Sequence, residues 1–216
     1  MKRAMALVLP IILAAGIIAL TLRRVQAEQG FLPLYVTVLH AAMAVLYLLW
    51  MLAETRISTS DAVEKGLSSD RWTRELYAFG QAATVFSALW FDPAWPDPGM
   101  HHAIGMSLFL GGIGFRLRAV SSLGRHYSHI VRRVEGHRVI DSGPYRFVRH
   151  PAYAGMIAAH LGVVVYYSSA PALCFLVLAL VPSIILRIRV EERMLFEIDG
   201  YDAYAAGRNR LVPGVW

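Results

Sequence analysis

Long apolar runs alternate with short polar ones along this chain, and the alternation predicts its elements. The first run, Met5 to Leu22, has Lys2 and Arg3 before it and Arg23 and Arg24 after it. It exceeds the apolar core of about 7–15 residues found in secretory signals, and no Ala-x-Ala site precedes the charges. It therefore predicts a retained transmembrane helix. Phe31 to Ala53 is a second span, with Pro33 in its first turn and Tyr47 and Trp50 near its far end, where an aromatic belt would lie. At 1.5 Å per residue it is long enough to cross a hydrocarbon core of ~30 Å. Glu54 to Arg71 is polar and predicts a loop. Trp72 to Phe91 is a weaker third span, because Arg74, Glu75 and Gln81 lie in its first half. The proline-rich stretch Asp92 to Gly99 predicts a rigid turn before a fourth span, His101 to Val120.

The last two runs, Ala154 to Tyr167 and Ala172 to Ile188, are joined by Ser168-Ser169-Ala170-Pro171. So short a link makes them an antiparallel hairpin. The expected fold class is all-α, a polytopic transmembrane helical bundle of about five to six spans. Residues 1–120 would form the N-terminal membrane helices, and residues 121–216 a region with a polar loop, the hairpin and a tail. The glycines Gly105, Gly111, Gly112 and Gly114 in the fourth run suit close helix packing, since no strand precedes them to make a phosphate loop.

Composition agrees with a membrane protein. Of 216 residues, 56% are hydrophobic and 17% charged, with a mean hydropathy of +0.47. The formal net charge of +6 is spread over short loops, without the contiguous basic face a nucleic-acid binder needs. It fits a positive-inside bias instead. The loop around residues 92–101 holds Asp92 and Asp97 but no Lys or Arg and should face outward, while residues 54–71 and 122–151 should face the cytoplasm. Arg23 and Arg24 then fall on the outer side, the one misfit. The single cysteine, Cys174, lies in an apolar run and excludes a disulfide framework or a cysteine metal site. His40, mid-span, reads as a histidine bonded to a neighbouring helix.

The stretch His129 to Tyr153, HIVRRVEGHRVIDSGPYRFVRHPAY, gathers polar, basic and turn-forming residues between apolar helices. Such a concentration in a membrane protein points to function. Pro151 pushes His150 out of the helical region and starts the next helix, whose first-turn N–H groups would face the loop and suit a carboxylate. Tyr145 and Tyr153 offer aromatic faces to a sulfonium or ammonium cation. A second group closes the last span: Arg187, Arg189, Glu191, Glu192 and Arg193. Arg187 and Glu191 are four apart and share a helix face, and charges at this depth are costly unless paired or functional. His126, His129, His137 and His150 have irregular spacing and no HExxH, so no metal site is expected. No G-x-S-x-G elbow is present for a nucleophilic serine.

Two motifs together, G-P-Y-x-x-x-R-H-P-x-Y-x-G over Gly143 to Gly155 and R-x-x-x-E-E-x-x-L over Arg187 to Leu195, precede Tyr201-x-x-Tyr204 and a terminal Pro213-x-x-Trp216. From His126 onward the chain resembles the isoprenylcysteine carboxyl methyltransferase family and its phospholipid-methyltransferase relatives. The resemblance implies an integral membrane methyltransferase that uses S-adenosyl-L-methionine, bound at the cytoplasmic face, on a lipophilic acceptor entering from the bilayer lipid. It implies cofactor contacts at His137, Arg138, Val139, Ile140, Tyr145, His150, Pro151, Ala152, Tyr153 and Glu191, and a substrate-facing Arg187; Arg187 and Glu191 would be the catalytic pair. This sequence departs from the family at Ala152, where better-known members often have serine, and at Arg132, where the family places a glutamine. The acceptor group stays open among a carboxylate, favoured, and a phospholipid amine, a phenolic lipid hydroxyl or a thiol. A small transporter or structural membrane protein is the reading from another class.

Overall fold

The computed structural model describes residues 2–28, 30, 32–61, 72–94, 99–124 and 139–216. Helices α1 (Lys2–Glu28), α2 (Leu34–Asp61), α3 (Thr73–Trp90) and α4 (Met100–Leu123) are followed by a 3₁₀ turn (Gly143–Arg146). Then come α5 (Pro151–Tyr166), α6 (Ala170–Leu195) and a short α7 (Tyr201–Ala206). Among the described residues, the bundle is all-α, and its only strand-like pairing is a single parallel bridge between Val148 and Asn209.

Among the described residues, four helices, α1, α2, α4 and α6, are long and apolar enough to cross a membrane on their own. Helix α3, with charges at its start, and α5, with 16 residues, complete the bundle by packing against them. At 1.5 Å per residue α5 is about 24 Å long, short of a ~30 Å hydrocarbon core. The polar segment before it thus starts below the level that α4 reaches. Helix α2 runs beyond the expected boundary at Ala53, so Glu54 is a helical residue and not the first of a loop. Its carboxylate is held by α4, as described below, and that pairing lets the helix continue past its apolar stretch.

Glycines set how closely the elements approach. A Cβ on Gly105 or Gly112 of α4 would collide with the α5 backbone at Tyr166 or Ala159, and one on Gly155 or Gly162 of α5 with the α4 backbone at Arg116 or Phe109. The two helices thus meet backbone to backbone. Gly111 and Gly114 face away from that seam, with open space around them. Gly80 of α3 permits a similar close approach, because a Cβ there would collide with the α6 backbone at Leu180. Leu180 ends a π-helical turn, Leu176–Leu180, that lies just ahead of Pro182. Proline lacks the N–H of a regular ladder and crowds the carbonyl four residues back, and a widened turn accommodates both.

The α5–α6 turn is tight, as expected. Ser168 takes φ 47°, and the Ser169 hydroxyl caps α6 by accepting from Ala172 N–H at 3.3 Å. Its continuation past the apolar run ends at Leu195, and Gly200, with φ 84°, turns the chain into α7. Arg23 and Arg24, the misfit of the charge rule, are spent on the C-terminus of α3. Arg23 donates to Trp90 O at 2.9 Å and lies over the Trp90 ring. Arg24 donates to Ala88 O at 3.0 Å and Phe91 O at 3.2 Å. Helix C-termini leave such carbonyls unpaired and favour cations beside them.

Candidate active site

The site lies at the end of the bundle where α2, α4 and α6 finish and α3 and α5 begin. Pro151 opens α5, and His150 precedes it with a non-helical φ of −126° and ψ of 58°. Both Tyr153 N–H and Ala154 N–H return to His150 O, at 3.1 and 3.2 Å. The first turn therefore closes largely on its own cap, which leaves less of the anion cradle than the sequence suggested.

Arg187 projects from α6 and is buried, with 3% of its surface exposed. Helical side chains lean toward the N-terminus of their helix, so the guanidinium reaches back into the bundle. There its Nε donates to Tyr153 Oη at 3.3 Å and its Cζ lies 5.3 Å from the centre of the Tyr77 ring. One turn along α6 the two adjacent glutamates differ. Glu192 is buried and accepts three charged or ring N–H groups: Arg149 Nη1 at 3.0 Å, Arg210 Nε at 2.8 Å and His150 Nε2 at 3.3 Å. Glu191 is the more exposed of the two and lies toward the other nitrogen of the His150 ring. Its Oε2 lies 3.9 Å from His150 Nδ1 and, among the described residues, accepts no hydrogen bond although the atom is buried.

The tail locks onto the segment ahead of α5. Arg149 N–H donates to Asn209 O and His150 N–H to Arg210 O, both at 2.9 Å. Arg149 Nε donates to Arg208 O at 2.7 Å. Tyr204 of α7 donates its hydroxyl to Tyr145 O at 2.9 Å. Burial pushes the Tyr204 phenol up to about 12, so it remains a donor at neutral pH. Tyr145 and Ala152 pack with Ala119, Tyr201, Tyr204 and Ala205 in a small apolar cluster, and Val139 and Ile140 lie against it.

Beneath the site a buried ion pair joins three helices. Arg116 of α4, 1% exposed, clasps Glu54 of α2 through Nε–Oε1 at 2.6 Å and Nη2–Oε2 at 2.7 Å. Its Nη1 donates to Ala152 O at 3.1 Å, and Trp50 Nε1 donates to Glu54 at 3.0 Å. A bidentate pair with its remaining donors and acceptors occupied is the form in which a buried pair is tolerated.

The residues picked from sequence thus divide. Arg187, Glu191, His150, Pro151, Ala152 and Tyr153 come together; Val139, Ile140 and Tyr145 sit beside them on the tail side. His137 and Arg138, with His126, His129 and Arg132, lie outside the described residues. Sequence reasoning did not single out Glu192, Arg149, Arg210 and Tyr77 as site residues. Glu192 was visible as the second half of the Glu-Glu pair. Nothing local to Tyr77 marks it, because its partners arrive from α5 and α6.

Fold and site define a class, a polytopic integral membrane protein whose polar site sits at one end of the helical bundle. Its backbone is similar to that of a eukaryotic intramembrane Ras methyltransferase, isoprenylcysteine carboxyl methyltransferase, solved without a monobody; the TM-score is 0.62 at 19% identity, over 91% of this chain and 73% of that one. Residues 103–197 match the model of the isoprenylcysteine carboxyl methyltransferase (ICMT) family. Similar curated proteins include protein-S-isoprenylcysteine O-methyltransferase B of Arabidopsis thaliana, 32% identical over 27% of this chain and 30% of that protein. A probable protein-S-isoprenylcysteine O-methyltransferase of Oryza sativa subsp. indica is 30% identical over 47% and 56%. The Schizosaccharomyces pombe protein-S-isoprenylcysteine O-methyltransferase is 30% identical over 46% and 43%. The chain thus spans about a third to just over half of these relatives' lengths.

Proposed function

We propose that this protein is an integral membrane methyltransferase that uses S-adenosyl-L-methionine to methylate a lipophilic carboxylate, of the isoprenylcysteine type that its relatives' names specify. The observation that carries this reading is the buried Arg187 guanidinium set one helical turn from the Glu191 carboxylate oxygen, which accepts no hydrogen bond among the described residues. These two face opposite chemical needs, an anion and a cation, at the end of the bundle that α5 leaves recessed.

The residues present fit the cofactor. Glu191 Oε2 and the Tyr201 hydroxyl are buried without hydrogen-bond partners among the described residues, and an ammonium and hydroxyls would satisfy them. The faces of Tyr153 and His150 suit a sulfonium. His137, Arg138, Val139, Ile140, Tyr145, His150, Pro151, Ala152, Tyr153 and Glu191 would hold it. When bound, S-adenosyl-L-methionine supplies an electrophilic methyl: the acceptor oxygen's lone pair forms the new O–C bond, the S–C pair stays with sulfur, and a carboxylate acceptor loses no proton.

The protein's residues then need only bind, orient and exclude water. Arg187 positions the acceptor carboxylate as a charge-assisted partner. Glu192, bound by three donors, fixes the tail over the site and takes no part in proton transfer. A buried guanidinium repels an ammonium, and this disfavours the phospholipid-amine alternative. The site faces the cytoplasm: this end carries Arg118, Arg146, Arg149, Arg189, Arg193, Arg208 and Arg210, while Arg23 and Arg24 at the other end are used by helix termini. In this division residues 1–120 are chiefly the membrane scaffold and residues 121–216 the catalytic region.

Titrating S-adenosyl-L-methionine into the purified protein by calorimetry tests the cofactor, and trapping a base-labile methyl ester tests the acceptor. Arg187→Ala should abolish transfer and Glu191→Ala should weaken cofactor binding. Unimpaired turnover in both variants would refute the site assignment.

A further inference from the structure

Helix α3 precedes the region matched by the family model, yet it sends one side chain into the site. Gly80 sits directly against the backbone of Leu180 in α6, which fixes the depth of α3. Tyr77, one turn nearer the site end, is carried beneath Arg187. The guanidinium lies over its ring at 5.3 Å, and the Tyr153 ring meets it edge-on at 6.3 Å. Tyr77 is 8% exposed, and its hydroxyl is buried with no hydrogen-bond partner among the described residues. Its surroundings include both arginines, Arg187 and Arg116, together with Glu54.

An apolar ring would pack under Arg187 equally well. A buried hydroxyl without a partner is destabilising, so a phenylalanine here would give the more stable fold. Buried polar groups left unsatisfied in this way are the pattern of binding sites, where the ligand completes the bonding.

We propose that Tyr77 is an acceptor-binding residue: its hydroxyl donates a hydrogen bond to the carboxylate that Arg187 holds, and the N-terminal helices thereby help select the acceptor. The inference rests on the carboxylate-methylation reading above and adds a specificity-determining residue to it. A carboxylate accepts from both groups. A carboxamide of the same shape loses the charge that Arg187 engages, and a thiol offers only a weak acceptor in place of two carboxylate oxygens. Sites built to hydrogen-bond a polar group discriminate through it strongly.

The test uses the full-length protein in lipid nanodiscs, without cofactor, and two probes: N-acetyl-S-farnesylcysteine and its carboxamide. Wild type should bind the carboxylate at least ~10-fold more tightly than the amide, and Tyr77→Phe should lower that preference by ~5-fold, the difference between a hydrogen bond to a charged and to a neutral acceptor, with Arg187 supplying the rest. The variant should retain its S-adenosyl-L-methionine affinity and melt no lower than wild type. A Tyr77→Phe protein with undiminished preference for the carboxylate overturns the assignment of Tyr77 and leaves the methyltransferase reading standing. Wild type that binds neither probe overturns both.

Discussion

The two ends of the bundle each bury charged residues, and they treat them differently. At the end away from the site, Glu28 accepts from Arg24 at 2.9 Å and pairs with His40 at 2.7 Å. Arg24 spends its other donors on the carbonyls that end α3, and the Tyr166, Tyr167 and His102 rings pack around His40. The sole buried polar atom without a partner there, among the described residues, is the Tyr166 hydroxyl. At the site end Arg116, Glu54 and Glu192 are similarly satisfied, yet the Tyr77 hydroxyl, Glu191 Oε2 and the Tyr201 hydroxyl are not. Polar groups that complete one another hold helices together; polar groups left incomplete around a buried arginine are arranged for a ligand. The far end is a clasp, and the near end has the incomplete bonding that the proposed charged ligands would fill.

Substitutions at the two ends should therefore separate stability from function. Glu28→Ala removes the carboxylate that Arg24 and His40 share at the far end and should cost about 1–3 kcal/mol of stability, the range for leaving buried hydrogen-bonding groups unsatisfied. A thermal melt in nanodiscs reads it, and acceptor binding by the protein that stays folded should not change. Arg187→Ala reverses the pattern. Turnover should fall by ~100-fold or more, as when a group that orients the reacting centre is removed, while S-adenosyl-L-methionine affinity measured by calorimetry changes little. Glu192→Gln keeps the side chain's shape but removes the charge shared by Arg149, His150 and Arg210. Limited proteolysis should then cut residues 208–216 faster, and cofactor affinity should drop by ~10-fold, in the range for loss of a charge-assisted hydrogen bond. The smallest effect is expected for Tyr204→Phe, which removes one hydroxyl bond between tail and turn and should lower Tm by about 2–4 °C per kcal/mol lost, with ~1 kcal/mol at stake. Equal loss of stability and activity at both ends would erase the contrast.

Much of the fold is written in local pattern. The apolar runs place α3, α4, α5 and the start of α6 within a few residues, because chain length and hydrophobicity alone decide what can lie in lipid. The pattern misplaces the end of α2: Glu54 looks like a loop residue until Arg116, 62 positions away, is found bound to it. Arg23 and Arg24 break the charge rule for the same reason, since their partners are carbonyls of a helix far along the chain. In the site, Arg187, Glu191, His150 and Tyr153 are legible as motifs. Arg210 and Tyr77 are not, because their roles come from the tail folding back and from the Gly80–Leu180 contact, neither of which leaves a spacing in the sequence.

In the proposed reaction Arg187 presents a lipophilic carboxylate for methylation at the recessed end of the bundle. Incubating the nanodisc-embedded protein with methyl-labelled S-adenosyl-L-methionine and N-acetyl-S-farnesylcysteine tests it directly, with label recovered as a base-labile ester. Wild type should transfer label, and folded, cofactor-binding Arg187→Ala should fall to background. Label transfer that persists undiminished in Arg187→Ala, or a wild type that forms no base-labile ester, would contradict the account.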